Sequence, residues 1–340
     1  MKKHNVIIIA LLLSVYTNAC DLCTFYLGIN PNDFKSFISL RYQNRQFGKT
    51  YTFDANGNQL TGLRMMHNPN SSIGSNNTSY TSYERYNTYS LSTMIFLTQK
   101  WRLNLNLPFD ENYVLKNDSI IDKKAGISDV QLVLKYQLYN TKTKIDSSNT
   151  LKNKIIHRLT IGSGIKFPTG KYNEQSITGF QMEYAPNTIL GSPIMELDPH
   201  IQTGTGSIDN IFLMEYLLKI NSFGINSNVS YRINNENSNH FRFANRINVN
   251  GYLFYLSNFS QSIRLMPFTG INYESSNRDQ LNSLDYKNSG GETTFLANGL
   301  KVFVKKFATD VMYSFPIYEY LYDDQLNNMQ RFTVNLTYYF

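Results

Sequence analysis

Two cysteines, Cys20 and Cys23, are the only thiols of the 340-residue chain and lie three positions apart. A thiol pair at this spacing can close a disulfide in an oxidising compartment, or hold a soft metal ion as thiolates. A cysteine directly after an export signal can instead be lipidated, although Thr17 stands where lipidation signals usually have a leucine-like residue. Because the chain has no second cysteine pair to complete a tetrahedral site, we predict no metal and no cofactor. Lipidation of Cys20 and a disulfide stay open as alternatives.

The histidines are the side chains best suited to act as general bases, and there are five of them: His4, His67, His157, His200 and His240. A hydrolytic barrel needs a Ser/His/acid or a paired-acid arrangement on its wall. His157 falls on the apolar face of its predicted strand, whereas His200 and His240 lie in or beside predicted outer loops. We therefore predict that the chain is not an enzyme and has no catalytic residue.

Charged side chains recur on the polar faces of the predicted strands, which would line the inside of a closed sheet. Unpaired arginines along a water-filled path favour anionic solutes, as rings of Arg and Lys do in anion-selective pores. Charges that pair across the interior would instead hold it closed, and the sequence leaves both alternatives open. The candidate lining residues are Arg41, Arg102, Asp129, Arg158, Arg232, Arg242, Arg246, Arg264 and Asp310.

These charges must be positioned by strands, because the chain offers no segment suited to a transmembrane helix. The apolar run at residues 6–15 is shorter than the roughly 20 residues that such a helix needs, and no later run is longer. It follows Lys2 and Lys3 and leads to a small-residue boundary, so residues 1–19 are predicted to be an export signal peptide. Residues 20–35 would then be a short periplasmic segment that carries the cysteine pair.

The last ten residues, 331–340, give the clearest strand signal in the chain. Phe332, Val334, Leu336, Tyr338 and Phe340 alternate with polar residues, so one face suits lipid and the other suits water. We predict that this strand closes an outer-membrane β-barrel. The aromatic Phe340 is predicted to be a signal that the outer-membrane assembly machinery reads.

The same alternation recurs along the chain and predicts an all-β fold, a single antiparallel transmembrane β-barrel of about twelve strands over residues 36–340. The long connections, residues 48–79, 112–126, 168–207 and 274–292, all follow odd-numbered strands, as expected for short periplasmic turns and long extracellular loops. The predicted strands span residues 36–46, 83–97, 101–110, 127–139, 155–167, 208–219, 223–233, 240–255, 260–273, 293–304, 307–317 and 329–340.

The composition agrees with a barrel that has a wet interior. Aromatic residues make up 14% of the chain and charged residues 17%, with a mean hydropathy of −0.35, so the chain is aromatic-rich without being apolar on average. A secreted soluble β-protein is the alternative. The net charge of +7 includes the signal lysines and forms no basic stripe, so we predict no nucleic-acid partner. The predicted location is the outer membrane of a Gram-negative cell, and the predicted partners are the lipid bilayer, the outer-membrane assembly machinery and a small-molecule solute.

Three runs of the sequence resemble a known family. They are residues 126–136 (GISDVQLVLKY), 164–170 (GIKFPTG) and 197–209 (LDPHIQTGTGSID). They resemble the outer-membrane proteins named after the meta-pathway of phenol degradation, over roughly residues 33–340. The resemblance implies a barrel with a transport role, loosely like the long-chain fatty-acid channels. The resemblance brings no catalytic residue and identifies no particular solute. The strand number and the short N-terminal segment of this chain also depart from the fatty-acid channels.

The sequence therefore favours passive passage of small solutes, whether anionic or aromatic and hydrophobic. Four small residues predicted to face inward, Gly162, Gly164, Ala297 and Gly299, could open a passage or make room for an inserted loop. The proline-rich loop at residues 168–207 is the candidate for that insertion. The alternative is a closed barrel that serves as a scaffold or surface-binding protein through its long loops.

Overall fold

The computed structural model describes residues 35–53, 59–60, 78–141, 155–173 and 198–340. No helix among these residues is long and apolar enough to span a membrane. The predicted signal peptide, with His4, lies outside the described residues. So do Cys20, Cys23 and His67, and the central parts of the loops at residues 48–79 and 168–207.

Twelve long strands, numbered here in chain order, form the wall of the molecule. They are β1 (Phe37–Phe53), β2 (Thr78–Phe96), β3 (Trp101–Lys116), β4 (Val130–Asn140), β5 (Ile155–Phe167), β6 (Asp209–Ile220), β7 (Phe223–Ile233), β8 (Arg246–Tyr255), β9 (Ile263–Ser276), β10 (Gly291–Val304), β11 (Phe307–Leu321) and β12 (Asn327–Tyr339).

Each strand pairs antiparallel with its neighbours in chain order, and β1 also pairs with β12. The closing seam runs from Phe37 opposite Tyr339 to Gly48 opposite Asn327, with a shift in register after Arg45 opposite Arg331. A closed sheet leaves no strand edge to be satisfied by water, which is the condition for crossing a bilayer with strands. The prediction of a single closed barrel with twelve antiparallel strands is confirmed.

The extracellular end of the barrel is more regular than the sequence suggests. Residues 112–126, predicted to be a loop, belong to a hairpin in which a short strand, Ser119–Ile127, pairs back onto the end of β3. Asn117 and Asp118 form its turn with φ of 47° and 63°, the left-handed conformation that tight hairpin turns require. The prediction was wrong there because polar residues above the membrane can form strands without an apolar face.

Two other boundaries differ from the predicted ones. Strand β1 continues to Phe53 and is paired with β2 along that length, so the first long loop begins later than residue 48. Strand β8 begins at Arg246, because residues 234–245 leave the wall. The pair Phe241–Arg242 forms a small separate sheet with Gln280–Leu281 and Leu284–Asp285.

Side chains alternate between the two surfaces of the wall. On β1, Leu40 is 59% exposed on the outside, whereas the adjacent Arg41 is 7% exposed on the inside. The same contrast separates Leu132 from Gln131 on β4. A charge on the lipid face near the midplane costs about 2–4 kcal/mol, which explains why the exposed belt is apolar and the charges point inward. A closed barrel with this exterior is an outer-membrane protein.

The interior is not polar along its whole length, although the composition predicts a wet interior. At the periplasmic end an apolar cluster lies inside the barrel. Its buried members are Phe37, Met94, Leu217, Tyr252, Phe254, Leu256, Met266, Phe268, Ala297, Phe303, Ala308, Met312 and Tyr339. We call this group the periplasmic cluster. Its side chains pack against one another at this end of the barrel.

Small residues next to the cluster make room for its rings and do not leave a gap. A Cβ added at Gly224 would lie 2.1 Å from Cζ of Phe254, its partner on the next strand, and one added at Gly299 would lie 2.2 Å from Cζ of Phe268. Gly162 is covered in the same way by the side chains of Leu213 and Lys135. The space expected from the small inward residues is therefore occupied by side chains.

Candidate functional site

Most of the predicted lining residues lie on the inner surface of the barrel. Seven of them point inward and are less than 9% exposed: Arg41, Arg102, Asp129, Arg158, Arg232, Arg246 and Asp310. Arg264 also points inward, but lies half-buried near the periplasmic end with its guanidinium 4.9 Å from the ring centre of Phe303.

Arg242 is the exception among these candidates. It is exposed in the small extracellular sheet and donates a hydrogen bond to the side chain of Gln280. The sequence placed it on the same inward face as Arg246 because the two are four residues apart. That inference was wrong, since the chain does not enter the wall until Arg246 and the alternation cannot be extended across the preceding turn.

Several inward charges pair with each other inside the barrel, on neighbouring strands or on strands two or three apart. The Lys135 ammonium contacts the carboxylate of Glu215, Lys301 lies 3.1 Å from Asp310, and Arg331 donates to Glu274 at 2.6 Å. Each of these pairs is largely buried, so the partners neutralise charges that could not otherwise stay in the interior. At these positions, therefore, the inward charges pair with each other inside the barrel, as one of the two alternatives for the lining residues expects.

A three-residue cluster clasps the two ends of the long loop at residues 168–207. Lys166, at the end of β5, lies 2.8 Å from Asp129 and 2.6 Å from Asp209, and all three are almost fully buried. Asp129 also accepts hydrogen bonds from the backbone N–H of Gly170 and of Thr205, both at 3.0 Å. The loop therefore leaves and re-enters the wall through one buried ion-paired junction.

The described end of this loop, residues 198–207, folds into the extracellular mouth. Ile201 is 1% exposed and packs with Phe47, Tyr86 and Val114 from the first three strands. Its carbonyl accepts a hydrogen bond from the side chain of Asn112 at 2.9 Å. The sequence made this loop a candidate for insertion and left its position open; these residues pack inside the mouth, and we call them the plug segment.

His200 fixes the other side of the plug segment. Its Nδ1 lies 2.7 Å from Asp198 and its Nε2 lies 2.7 Å from Asp279, in the loop after β9. Burial alone would lower the pKa of His200, but the two carboxylates outweigh it and raise that pKa well above its ordinary value. Because both ring nitrogens are engaged by carboxylates, the arrangement suits a charged structural link and not a general base.

The other described histidines lie apart from this group. His157 faces outward near the periplasmic end, as predicted, with Nδ1 2.9 Å from the hydroxyl of Tyr216. His240 is exposed and contacts Glu236. Among the described residues, no group of His, Cys, Asp and Glu is arranged to hold a metal ion.

Two polar cavities lie along the barrel axis between the plug segment and the periplasmic cluster. The upper cavity, of about 80 Å³, lies directly under His200 and is bordered by Arg45, Arg232 and Arg246. The lower cavity, of about 40 Å³, is bordered by Glu215, Glu274 and Arg331 among others. Gln43 borders both, so they adjoin at that side chain.

No family model matches the sequence, and no curated protein is detectably similar to it. The resemblance of the three sequence runs to a transport family thus stays a prediction. Solved structures do match. An outer membrane channel from Pseudomonas putida F1 is 12% identical, with 92% of this chain covering 100% of that one at a TM-score of 0.53. This similarity shows a shared fold.

Two further matches are weaker. The translocator domain of the autotransporter NalP from Neisseria meningitidis is 12% identical, over 92% of this chain and 90% of that one, with a TM-score of 0.37. LpxR from Salmonella typhimurium is 10% identical, over 89% of this chain and 100% of that one, with a TM-score of 0.41.

Proposed function

We propose that the chain is an outer-membrane channel through which small solutes pass passively. The observation that carries the proposal is the pair of adjoining polar cavities inside a closed barrel, bordered by inward charges that a purely structural core would not need. Support for a transport role comes also from the fold shared with the Pseudomonas putida channel. Solute choice would then depend on the arginines of the upper cavity and on the loops above it.

Passage in this proposal requires the plug segment to move. It is attached to the rest of the barrel by the packing of Ile201 and by the contact between His200 and Asp279. Neither attachment is covalent, so solvent can compete for both. The channel would be closed in the described conformation and would open when residues 198–207 swing outward.

The double variant His200→Ala, Ile201→Ser tests the channel. Replacing a large buried side chain by a small one costs about 2–5 kcal/mol, so the open population should rise roughly tenfold or more. Refolded protein in planar bilayers and in liposomes loaded with glycerol would report conductance and flux. His157→Ala, on the lipid face, is the matched control and should leave both unchanged. A folded double variant with no conductance and no flux would refute the channel.

A closed barrel that acts as a scaffold or binds partners at the cell surface is the second candidate. The observation that favours it is that buried side chains pack together inside the barrel at both ends, in the plug segment and in the periplasmic cluster. Under this hypothesis the double variant would stay impermeable while remaining folded. The same measurement therefore distinguishes the two candidates.

A further inference from the structure

Three pairs of like charges stand directly opposite each other on adjacent strands of the inner wall. Arg45 is in register with Arg331, Arg102 with Lys135, and Arg232 with Arg246. All six side chains are less than 9% exposed. Like charges opposite each other destabilise a sheet, and a guanidinium cannot relieve the repulsion by losing its proton. Each pair thus needs a compensating negative group.

Two of the pairs have such a group within the chain. In the first, Arg331 donates to Glu274 at 2.6 Å. In the second, Lys135 contacts Glu215 and Arg102 donates to the side-chain oxygen of Gln137. Glu215 lies two strands away from Lys135 along the sheet and Glu274 three strands away from Arg331, and each contact offsets the local repulsion.

In the third pair, the positive charge of Arg246 is compensated less well by the carboxylates around it. Its nearest described carboxylate is Asp279, with Nη2 3.8 Å from Oδ1, which is beyond hydrogen-bonding distance. Asp279 is already engaged, since it contacts His200 at 2.7 Å and accepts from the backbone N–H of Ala244 at 2.7 Å. Nε and Nη2 of Arg246 are buried and make no hydrogen bond within the described chain.

Both arginines of this pair border the upper cavity, and other polar groups border it with them. Arg45 approaches from the opposite wall, and the side chains of Asn234 and Thr203 complete the rim. Two acids also border the cavity: Asp129, which pairs with Lys166, and Asp110, which accepts from the hydroxyl of Thr88 at 2.6 Å. Buried N–H donors of Arg246 therefore lie beside a space of about 80 Å³.

We propose that the upper cavity binds an oxyanion, a carboxylate or phosphate group, between Arg232 and Arg246. Planar guanidinium groups bind such anions through two parallel N–H donors, which would use the Nε and Nη2 of Arg246. The plug segment covers this site, so an anion bound there would be shielded from solvent and held more strongly. The inference relies on the proposed channel only for the route by which a solute reaches the cavity.

The test is equilibrium binding of inorganic phosphate and of acetate to the refolded full chain in detergent, by calorimetry at constant ionic strength. We expect the wild type to bind one or both probes. Arg246→Gln should weaken binding roughly tenfold or more, as expected for the loss of a charged hydrogen bond. Arg246→Lys, which keeps the charge but not the paired donors, should give an intermediate loss. The matched control is Arg264→Gln, an inward arginine at the other end of the barrel.

The outcomes separate cleanly. Binding that is lost in Arg246→Gln and kept in Arg264→Gln supports the site, and the preferred probe tells whether a phosphate or a carboxylate fits it. Binding that is equal in the wild type and Arg246→Gln overturns it, as does a wild type that binds neither probe. Far-ultraviolet circular dichroism verifies that each variant is folded. Glycerol flux without anion binding would refute only this inference, and anion binding without flux would refute only the channel.

Discussion

At the scale of single residues, the clasp around Lys166 is the strongest buried electrostatic feature of the barrel. One ammonium lies between two carboxylates, and one of these, Asp129, accepts hydrogen bonds from the backbone at both ends of the long loop. Removing one member of such a group leaves uncompensated charge in the interior, which costs far more than an exposed pair is worth.

Lys166→Met should therefore destabilise the protein by about 3–5 kcal/mol, because Asp129 and Asp209 would be left side by side without a cation. Urea unfolding in detergent, followed by circular dichroism, measures the change. Lys287→Met, at an exposed lysine of the loop after β9, is the control and should shift the midpoint little. A clasp variant as stable as the control would contradict the stabilising role given to Lys166.

His200 makes closure of the mouth dependent on pH. Since its folded pKa lies well above the unfolded value, the link is fully present below the unfolded pKa and is lost as pH rises through the folded pKa. The pKa of Asp198 is shifted in the opposite direction. Burial alone would raise it, but the contact with His200 lowers it by more, so the contribution of Asp198 to the link is lost only in strong acid. The other groups facing His200 are Asp279, Tyr286 and, through Asp279, Arg246.

We therefore expect glycerol flux through the wild type to be lowest from mildly acidic to neutral pH and to rise in alkaline solution. His200→Gln removes the titrating group, so its flux should be higher at neutral pH and should change little on the alkaline side. Liposome flux measured in steps from neutral to alkaline pH compares the two. A wild-type profile that is flat over this range would contradict the role given to His200.

The alternation of the sequence predicted which residues face inward but not which of them meet. Arg41, Asp129 and Arg246 were identified because a strand places every second side chain on one face. The partners are set by the register between strands, as in Lys301 opposite Asp310, and one sequence carries no direct signal for register. The contact between His200 and Asp279 could be predicted still less, since it joins two loops.

At the scale of elements, glycine and aromatic residues on neighbouring strands fit together at the periplasmic end. Gly224 on β7 lies opposite Phe254 on β8, and the ring of Phe254 covers the glycine on the inner face. The sequence revealed the strands because their faces differ in polarity. It did not reveal the periplasmic cluster, because inward aromatics look like lipid-facing ones when read along one strand.

Gly224→Ala should destabilise the barrel by about 1–3 kcal/mol, because the new Cβ would lie 2.1 Å from the ring of Phe254 and overpack the cluster. Gly251→Ala is the matched control on the next strand: a Cβ there meets nothing within 4 Å. Urea midpoints compare the two. Adding Phe254→Leu should recover part of the loss in the Gly224 variant, and a loss that does not depend on Phe254 would show that the strain lies in the backbone.

At the scale of the whole molecule, the sequence predicted the closed barrel because every level of the pattern agrees. Strand alternation, charge faces and loop lengths all fit a sheet with lipid outside. The filling of the lumen could not be predicted in the same way, because it depends on where a loop such as residues 198–207 returns. The barrel wall can thus be predicted from local sequence patterns, whereas the closed mouth depends on contacts between residues that are far apart in the sequence.

The seam between β1 and β12 joins the two ends of the barrel at one place. The N–H of Phe340 donates to the carbonyl of Ser36 at 3.0 Å, so the first and last residues of the wall are neighbours. A short linker between them, with a new break at the two-residue turn between β6 and β7, would give a circular permutant with the same wall. The chain ends lie at this seam only because of the order in which the strands are connected. They could lie instead at any of the periplasmic turns.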